Sequence, residues 1–110
     1  MERKVCAYKD YFTNFINSLK EVEARKLFYV LDMLKMQERL STKFVKYVEN
    51  GIFEIRAEHC GEIFRVFFIF DEGNIVLLFN GFRKKTKKTP RKEIEKAIRL
   101  KNEYYAEKGK

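Results

Sequence analysis

Three runs of β-branched and aromatic residues follow one another after Gly51: Ile52–Ala57, Ile63–Phe70 and Ile75–Phe82. The stretches between them, His59–Glu62 and Asp71–Asn74, are short and each carries a glycine. Runs of this length bounded by glycine turns read as strands joined by tight hairpins. They predict a three-stranded antiparallel meander. The middle run, Ile63-Phe64-Arg65-Val66-Phe67-Phe68-Ile69-Phe70, is too apolar on both faces for an RNA-stacking platform, so most of its rings belong to the core.

The residues before the meander follow a different period. Val5-Cys6-Ala7-Tyr8 reads as a short opening strand. Asp10 can then cap a helix whose apolar residues Phe12, Phe15, Ile16 and Leu19 recur at helical spacing. A second helix is expected from about Glu21 to Glu38, with Leu27, Phe28, Leu31 and Leu34 on one face. Only a short break around Lys20 separates the two, which predicts an antiparallel helix pair. After the meander, Thr89-Pro90 marks a helix start, with threonine as N-cap and proline at the first helical position. That helix should run to about Glu107 with Ile94, Ala97, Ile98, Tyr104 and Tyr105 facing inward. The expected fold class is α+β: an N-terminal strand, a helix pair, the meander and a C-terminal helix, with the first strand making the sheet four-stranded.

The chain has 110 residues, enough for a single domain spanning 1–110. Charged residues reach 36%, but they alternate with apolar ones rather than replacing them, which argues against disorder. No apolar run approaches the roughly 18 residues needed to span a bilayer, and no hydrophobic leader segment follows Met1-Glu2-Arg3-Lys4. A non-membrane, cytoplasmic protein is expected. Cys6 and Cys60 lack CxxC or Cys/His ligand spacing, so neither a disulfide framework nor a metal site is expected, and no motif asks for a cofactor.

The net charge of +8 is placed unevenly. Residues 1–82 hold 12 Lys/Arg and 12 Asp/Glu, whereas residues 83–110 hold 12 Lys/Arg and 4 Asp/Glu. The whole excess therefore lies in the last quarter of the chain. A solubilising basic tail is one reading; a surface that approaches phosphates is the other. Within that quarter, Phe82-Arg83-Lys84-Lys85-Thr86-Lys87-Lys88-Thr89-Pro90 sets five cations between a strand and a helix start. Helix N-termini favour acids, so cations clustered there are easiest to understand if a polyanion binds.

Register sharpens the site. A turn centred between Cys60 and Gly61 pairs positions summing to 121, which sets Arg56 opposite Arg65. A turn centred between Glu72 and Gly73 pairs positions summing to 145, which sets Arg65 opposite Asn80. Strand alternation then brings Phe82 and an extended Lys84 to the same side. Arg56, Arg65, Asn80 and Lys84 would form a row that ends in the basic loop. Like charges facing one another cost on the order of 0.2–1 kcal/mol unless an anion lies between them. The alternative is that Glu54, two residues from Arg56 on the same face, neutralises one arginine. The lone histidine, His59, falls in a predicted turn and reads as a solvated residue rather than a catalytic base.

Three segments together carry a resemblance: Gly51-Ile52-Phe53-Glu54-Ile55-Arg56, Phe64-Arg65-Val66-Phe67-Phe68, and Leu77-Leu78-Phe79-Asn80-Gly81-Phe82-Arg83-Lys84-Lys85-Thr86-Lys87-Lys88-Thr89-Pro90. They resemble the phage-derived HigB-like branch of the RelE/ParE toxin superfamily, whose pattern runs Gly-Leu-Tyr-Glu-Leu-Arg, Tyr-Arg, and Gly-Phe-x-Lys-Lys-Thr-x-Lys-Thr-Pro. The likeness is close over residues 51–105. It implies the RelE fold and the toxin of a type II toxin–antitoxin system, a ribosome-dependent, metal-independent messenger-RNA endoribonuclease. By motif position the catalytic residues would be Arg56, Arg65, Lys84 and Lys85, with Arg83, Lys87, Lys88, Asn80 and Arg91 as RNA contacts. In the chemistry implied, the RNA 2′-hydroxyl attacks the adjacent phosphate while cations stabilise the dianionic phosphorane.

Some relatives use a C-terminal histidine, aspartate or tyrosine for proton transfer. Here Tyr104, Tyr105, Glu93 or a lysine of lowered pKa are the candidates. The implied partners are the ribosome and its messenger RNA, and a cognate antitoxin whose helix-turn-helix domain binds operator DNA, which the toxin reaches only through that antitoxin. Two other readings fit the same residues: a toxin of this fold aimed at another target such as gyrase, and a non-catalytic RNA- or protein-binding module.

Overall fold

In the computed structural model, which describes residues 2–36, 39–84 and 88–109, the chain forms five strands and three helices. The order is β1 (Lys4–Ala7), α1 (Tyr11–Asn17), α2 (Glu21–Met36), β2 (Val45–Glu49), β3 (Ile52–His59), β4 (Glu62–Asp71), β5 (Ile75–Lys84) and α3 (Arg91–Lys108). The sheet runs β1-β5-β4-β3-β2, with β1 parallel to β5 and the other neighbours antiparallel. The α+β class is as expected, but the sheet has five strands rather than four. The added strand, β2, is held by a hairpin whose turn is Asn50-Gly51, both at positive φ. Asn-Gly is the dipeptide that the primed hairpin turns favour, because both central residues must adopt left-handed backbone.

The β3–β4 hairpin turns on Cys60 and Gly61, again both at positive φ, and sets Arg56 directly opposite Arg65, as expected. The β4–β5 register differs from expectation. Asp71 pairs with Ile75 across a three-residue loop, and a register shift between Val66 and Phe68 moves the pairing further. Arg65 therefore faces Phe82, not Asn80. The two displacements together amount to two residues, so the alternation of faces beyond the shift is preserved.

Helices cover the sheet on both sides. Under α1 and α2 lie Ile55, Ala57, Phe64, Val66, Phe68, Val76 and Leu78; under α3 lie Ile52, Phe67, Ile69, Leu77, Phe79 and Phe82. The phenylalanines of β4 are core on both faces, as the sequence suggested. Gly81 answers a close approach: a Cβ there would collide with the Phe15 ring of α1. Two helix-face expectations need correcting. Phe28 stays partly in solvent, meeting Phe12 edge to face with a centroid separation of 6.2 Å, and Tyr105 is exposed as well. The start of α3 also lies one residue later than expected. Pro90 takes the N-cap position and Arg91 opens the helix, with no side-chain capping bond. Asp10 does occupy the N-cap of α1, although its carboxylate makes no capping bond either. The last residues expected in the second helix, 37 and 38, lie outside the described residues.

Candidate nucleic-acid interface

Alternation along β3 puts Glu54 and Arg56 on the α3 side of the sheet, and Lys46 of β2 pairs directly with Glu54. Arg65 on β4 shares that side with Phe67, and Lys84 on β5 shares it with Phe82. α3 packs on β4 and β5, which leaves the β2–β3 side of this face to polar residues. There a cleft of about 140 Å³ is lined by Thr42, Lys46, Glu54, Arg56 and Arg65.

The five charged groups are not equivalent. Arg65 is 7% exposed and its guanidinium is ion-paired with Glu54, itself 3% exposed. One arginine is thus neutralised by Glu54, and it is Arg65 rather than Arg56. The pairing is incomplete, since the buried Nε of Arg65 has no hydrogen-bond partner. Burial pulls the Arg65 guanidinium below its ordinary value, although a guanidinium still carries its charge at neutral pH. Arg56, Lys46 and Lys84 engage no carboxylate among the described residues. The Lys84 ammonium is held below its ordinary value, first by burial and then by the charges of Arg65, Arg56 and Lys46. Lys84 of β5 is thus within electrostatic reach of Lys46 of β2, Arg56 of β3 and Arg65 of β4.

The other expected site residues go elsewhere. Arg83 alternates to the opposite side from Lys84. It bonds Glu23 of α2 at 3.0 and 3.3 Å, pairs with Glu62, and lies 4.7 Å over the Phe64 ring. Glu23 is buried and also accepts the Lys20 backbone N–H at 2.8 Å, the N3 half of a capping box. Together these bonds lower its carboxyl from 4.5 to about 2. Arg91 pairs with Glu49, at 3.0 Å through Nη2, and with Glu95. Asn80 is buried and donates to the Glu93 carboxylate and carbonyl at 3.0 and 3.2 Å, while its Oδ1 is unpartnered. It ties the start of α3 to β5. Lys88 is exposed, and Lys85 and Lys87 lie outside the described residues.

Tyr104 and Tyr105 are not brought to the cations. Both donate to Asp71, at 2.5 and 3.2 Å, and Lys108 joins them at 2.8 Å. Asp71 lies six residues along β4 from Arg65, about 20 Å at the usual strand rise. The Asp71 bond raises Tyr104, and burial together with Asp71 raises Tyr105. Among the described residues no group of three or more His, Cys, Asp or Glu side chains is gathered for a metal. No helix among them is long and apolar enough to cross a membrane.

Lys46 was missed in the sequence, and so was the anchoring of Arg83 by Glu23. The first had a signal, because Asn50-Gly51 announces a hairpin whose other arm holds Lys46. The second had none, because residues 60 apart in sequence are matched only by the folded chain.

The architecture is that of RelE toxins. A mutant of the Escherichia coli toxin RelE in the free state superimposes with a TM-score of 0.64 over 90% of this chain and 97% of that one, at 12% identity. The archaeal RelE–RelB complex from Pyrococcus horikoshii gives a TM-score of 0.53 over 74% of this chain and 93% of that one, at 16% identity. No curated protein sequence matched. The family model described as "Phage derived protein Gp49-like (DUF891)" matches residues 14–102, and the chain belongs to that family.

Proposed function

We propose that this protein is the toxin of a type II toxin–antitoxin pair and inhibits translation by cleaving messenger RNA on the ribosome without a metal. Membership of the Gp49-like family and the RelE fold support the toxin reading. The observation that carries the chemistry is the convergence of Lys46, Arg56 and Arg65 on one cleft, with Lys84 held below its ordinary value first by burial and then by the charges of those three.

The cleft suits a phosphodiester that gains charge. As the 2′-hydroxyl oxygen attacks phosphorus, a second negative charge builds on the non-bridging oxygens, where fixed cations act most strongly. Arg65 is immobilised by Glu54 and preorganised for this. Arg56, with no carboxylate among the described residues to hold it, can fork onto two phosphate oxygens. Lys84, with its proton loosened by burial and by the surrounding cations, is suited to protonate the departing 5′-oxygen, while the proton of the attacking 2′-hydroxyl passes to water, from which Lys84 is recharged. The products are a 2′,3′-cyclic phosphate and a 5′-hydroxyl. Lys85 completes the assignment by motif position, and Lys87 and Lys88 are assigned to RNA backbone on the same ground. The same positive face suits an acidic antitoxin segment, and similarity to a RelE–RelB complex supports a partner of that kind.

Induced expression in bacteria should arrest growth, and Arg56→Ala should relieve the arrest without loss of soluble protein. Cleavage mapping on translating ribosomes should find ends bearing 2′,3′-cyclic phosphate. Arrest with intact messenger RNA and damaged DNA would redirect the toxin reading to gyrase. Salt-sensitive RNA binding with neither arrest nor cleavage would reduce it to a binding module.

A further inference from the structure

Arg56 stands between two clefts. Beside the cation cleft lies a wider one of about 370 Å³, walled by Lys26 and Tyr29 of α2, Lys43 and Phe44 before β2, and Arg56 and Glu58 of β3. The chain at 42–44 divides them: Thr42 lines the cation cleft, and Lys43 with Phe44 line the wider one. The Arg56 backbone N–H bonds the Phe44 carbonyl at 2.8 Å, which holds that dividing wall to β3.

We propose that the wider cleft is a nucleobase subsite that takes the base adjoining the phosphate held at Lys46, Arg56 and Arg65. The proposal rests on the RNA reading of the cation cleft and extends it to sequence preference. Three features support it. First, the two clefts share Arg56, so a single strand can lay its phosphate on one side of the arginine and its base on the other. Second, the Tyr29 ring is 62% exposed, and the Lys43 ammonium sits 5.6 Å over the Phe44 ring beside it. Exposed aromatic faces next to cations are what unstacked bases bind. The volume also reaches the low end of ligand cavities, roughly 300–1,000 Å³. Third, Glu58 is the one acidic group among Lys26, Lys43 and Arg56 in the lining. A carboxylate only accepts hydrogen bonds, so it favours a base edge presenting parallel N–H donors. Guanine, through its N1–H and amino group, fits best.

The test uses the full chain and 2′-O-methyl trinucleotides that cannot be cleaved, with guanine, adenine, cytosine or uracil at the centre. Titration followed by backbone amide chemical shifts should perturb Tyr29, Lys43, Phe44 and Glu58 together with the cation cleft, most strongly for guanine. Tyr29→Ala, at an exposed position, should weaken binding roughly fivefold to a hundredfold while the far-ultraviolet spectrum is unchanged. Glu58→Gln should remove the guanine preference while weakening the other trinucleotides little. Perturbations confined to the cation cleft, equal binding of all four bases, or no binding at millimolar concentration would each overturn the subsite. The nuclease reading fails separately: wild-type protein that binds bases selectively and cleaves nothing on ribosomes ends that reading and keeps this one. Cleavage with an identical fragment pattern in Tyr29→Ala does the reverse.

Discussion

Arg65 lies directly across from Arg56 in the β3–β4 ladder, yet its guanidinium turns to Glu54, the diagonal neighbour on β3. Both members of that pair are buried, so the arginine that faces its like charge is also the one with a carboxylate. The pair divides the labour between a fixed cation and a free one.

This division separates stability from activity. Removing one member of a buried pair strands the other's charge, at a cost of about 3–5 kcal/mol. Arg65→Met should therefore destabilise by that order in urea unfolding, and Glu54→Leu combined with Arg65→Met should recover most of it. Arg56→Ala, at a half-buried position with no carboxylate partner among the described residues, should cost far less than Arg65→Met, while abolishing cleavage. A large stability loss in Arg56→Ala would mean that the two arginines are one structural unit.

Lys84 gives a pH signature. Its folded-state pKa lies below its ordinary 10.5, so folding disfavours its charged form. The penalty is full at neutral pH, where both states are protonated, and fades as pH rises through the folded pKa toward 10.5. Lys84→Met should be more stable than wild type at pH 7, and the difference should shrink in denaturant titrations at rising pH. Inorganic phosphate should stabilise wild type more than Lys84→Met, since an anion in the cleft removes the repulsion.

The Arg56–Arg65 pairing was readable because Cys60-Gly61 makes a two-residue turn, the case in which turn chemistry fixes register. The β4–β5 register was not readable, because a three-residue loop and a shift near Phe67 leave no local mark among apolar residues. Lys84 still reached the expected face, since a displacement of two restores the alternation. Arg83 and Lys84 look equivalent in a basic run. The ladder sends them to opposite faces, and only the buried Glu23 on α2 explains where Arg83 rests.

Glu23 has the opposite pH dependence to Lys84. Its folded-state pKa of about 2 lies below the ordinary 4.5, so its contribution is complete above pH 4.5 and is lost as pH falls from there toward 2. Glu23→Gln should unfold more readily than wild type at pH 7. Its stability should also fall less steeply than that of wild type between pH 4.5 and 2, measured by circular dichroism. Parallel acid limbs for the two proteins would remove Arg83 from the account of that shift.

Gly81→Ala tests the seat of α1. The added methyl group meets the Phe15 ring, and overpacking of this kind costs about 1–3 kcal/mol. Thermal unfolding should show the loss, and Phe15→Leu in the same chain should return part of it. If Phe15→Leu deepens the loss instead, the strain comes from the β5 backbone and not from the ring.

The path of RNA across the face can be read from salt dependence. Each cation that neutralises a phosphate of a single strand contributes about 0.7 to the slope of log affinity against log salt. Lys46, Arg56 and Lys84 carry charge that no described carboxylate cancels, whereas Arg83 and Arg91 are already matched by Glu23 and Glu62 and by Glu49 and Glu95. Lys46→Ala and Arg56→Ala should each flatten the slope by about that amount, measured with a single-stranded RNA by fluorescence anisotropy. Arg91→Ala should leave the slope unchanged, and Arg83→Ala should lower stability but not the slope. A flattened slope in Arg83→Ala with none in Arg56→Ala would put the RNA on the α2 side of β5, where the cation cleft does not open.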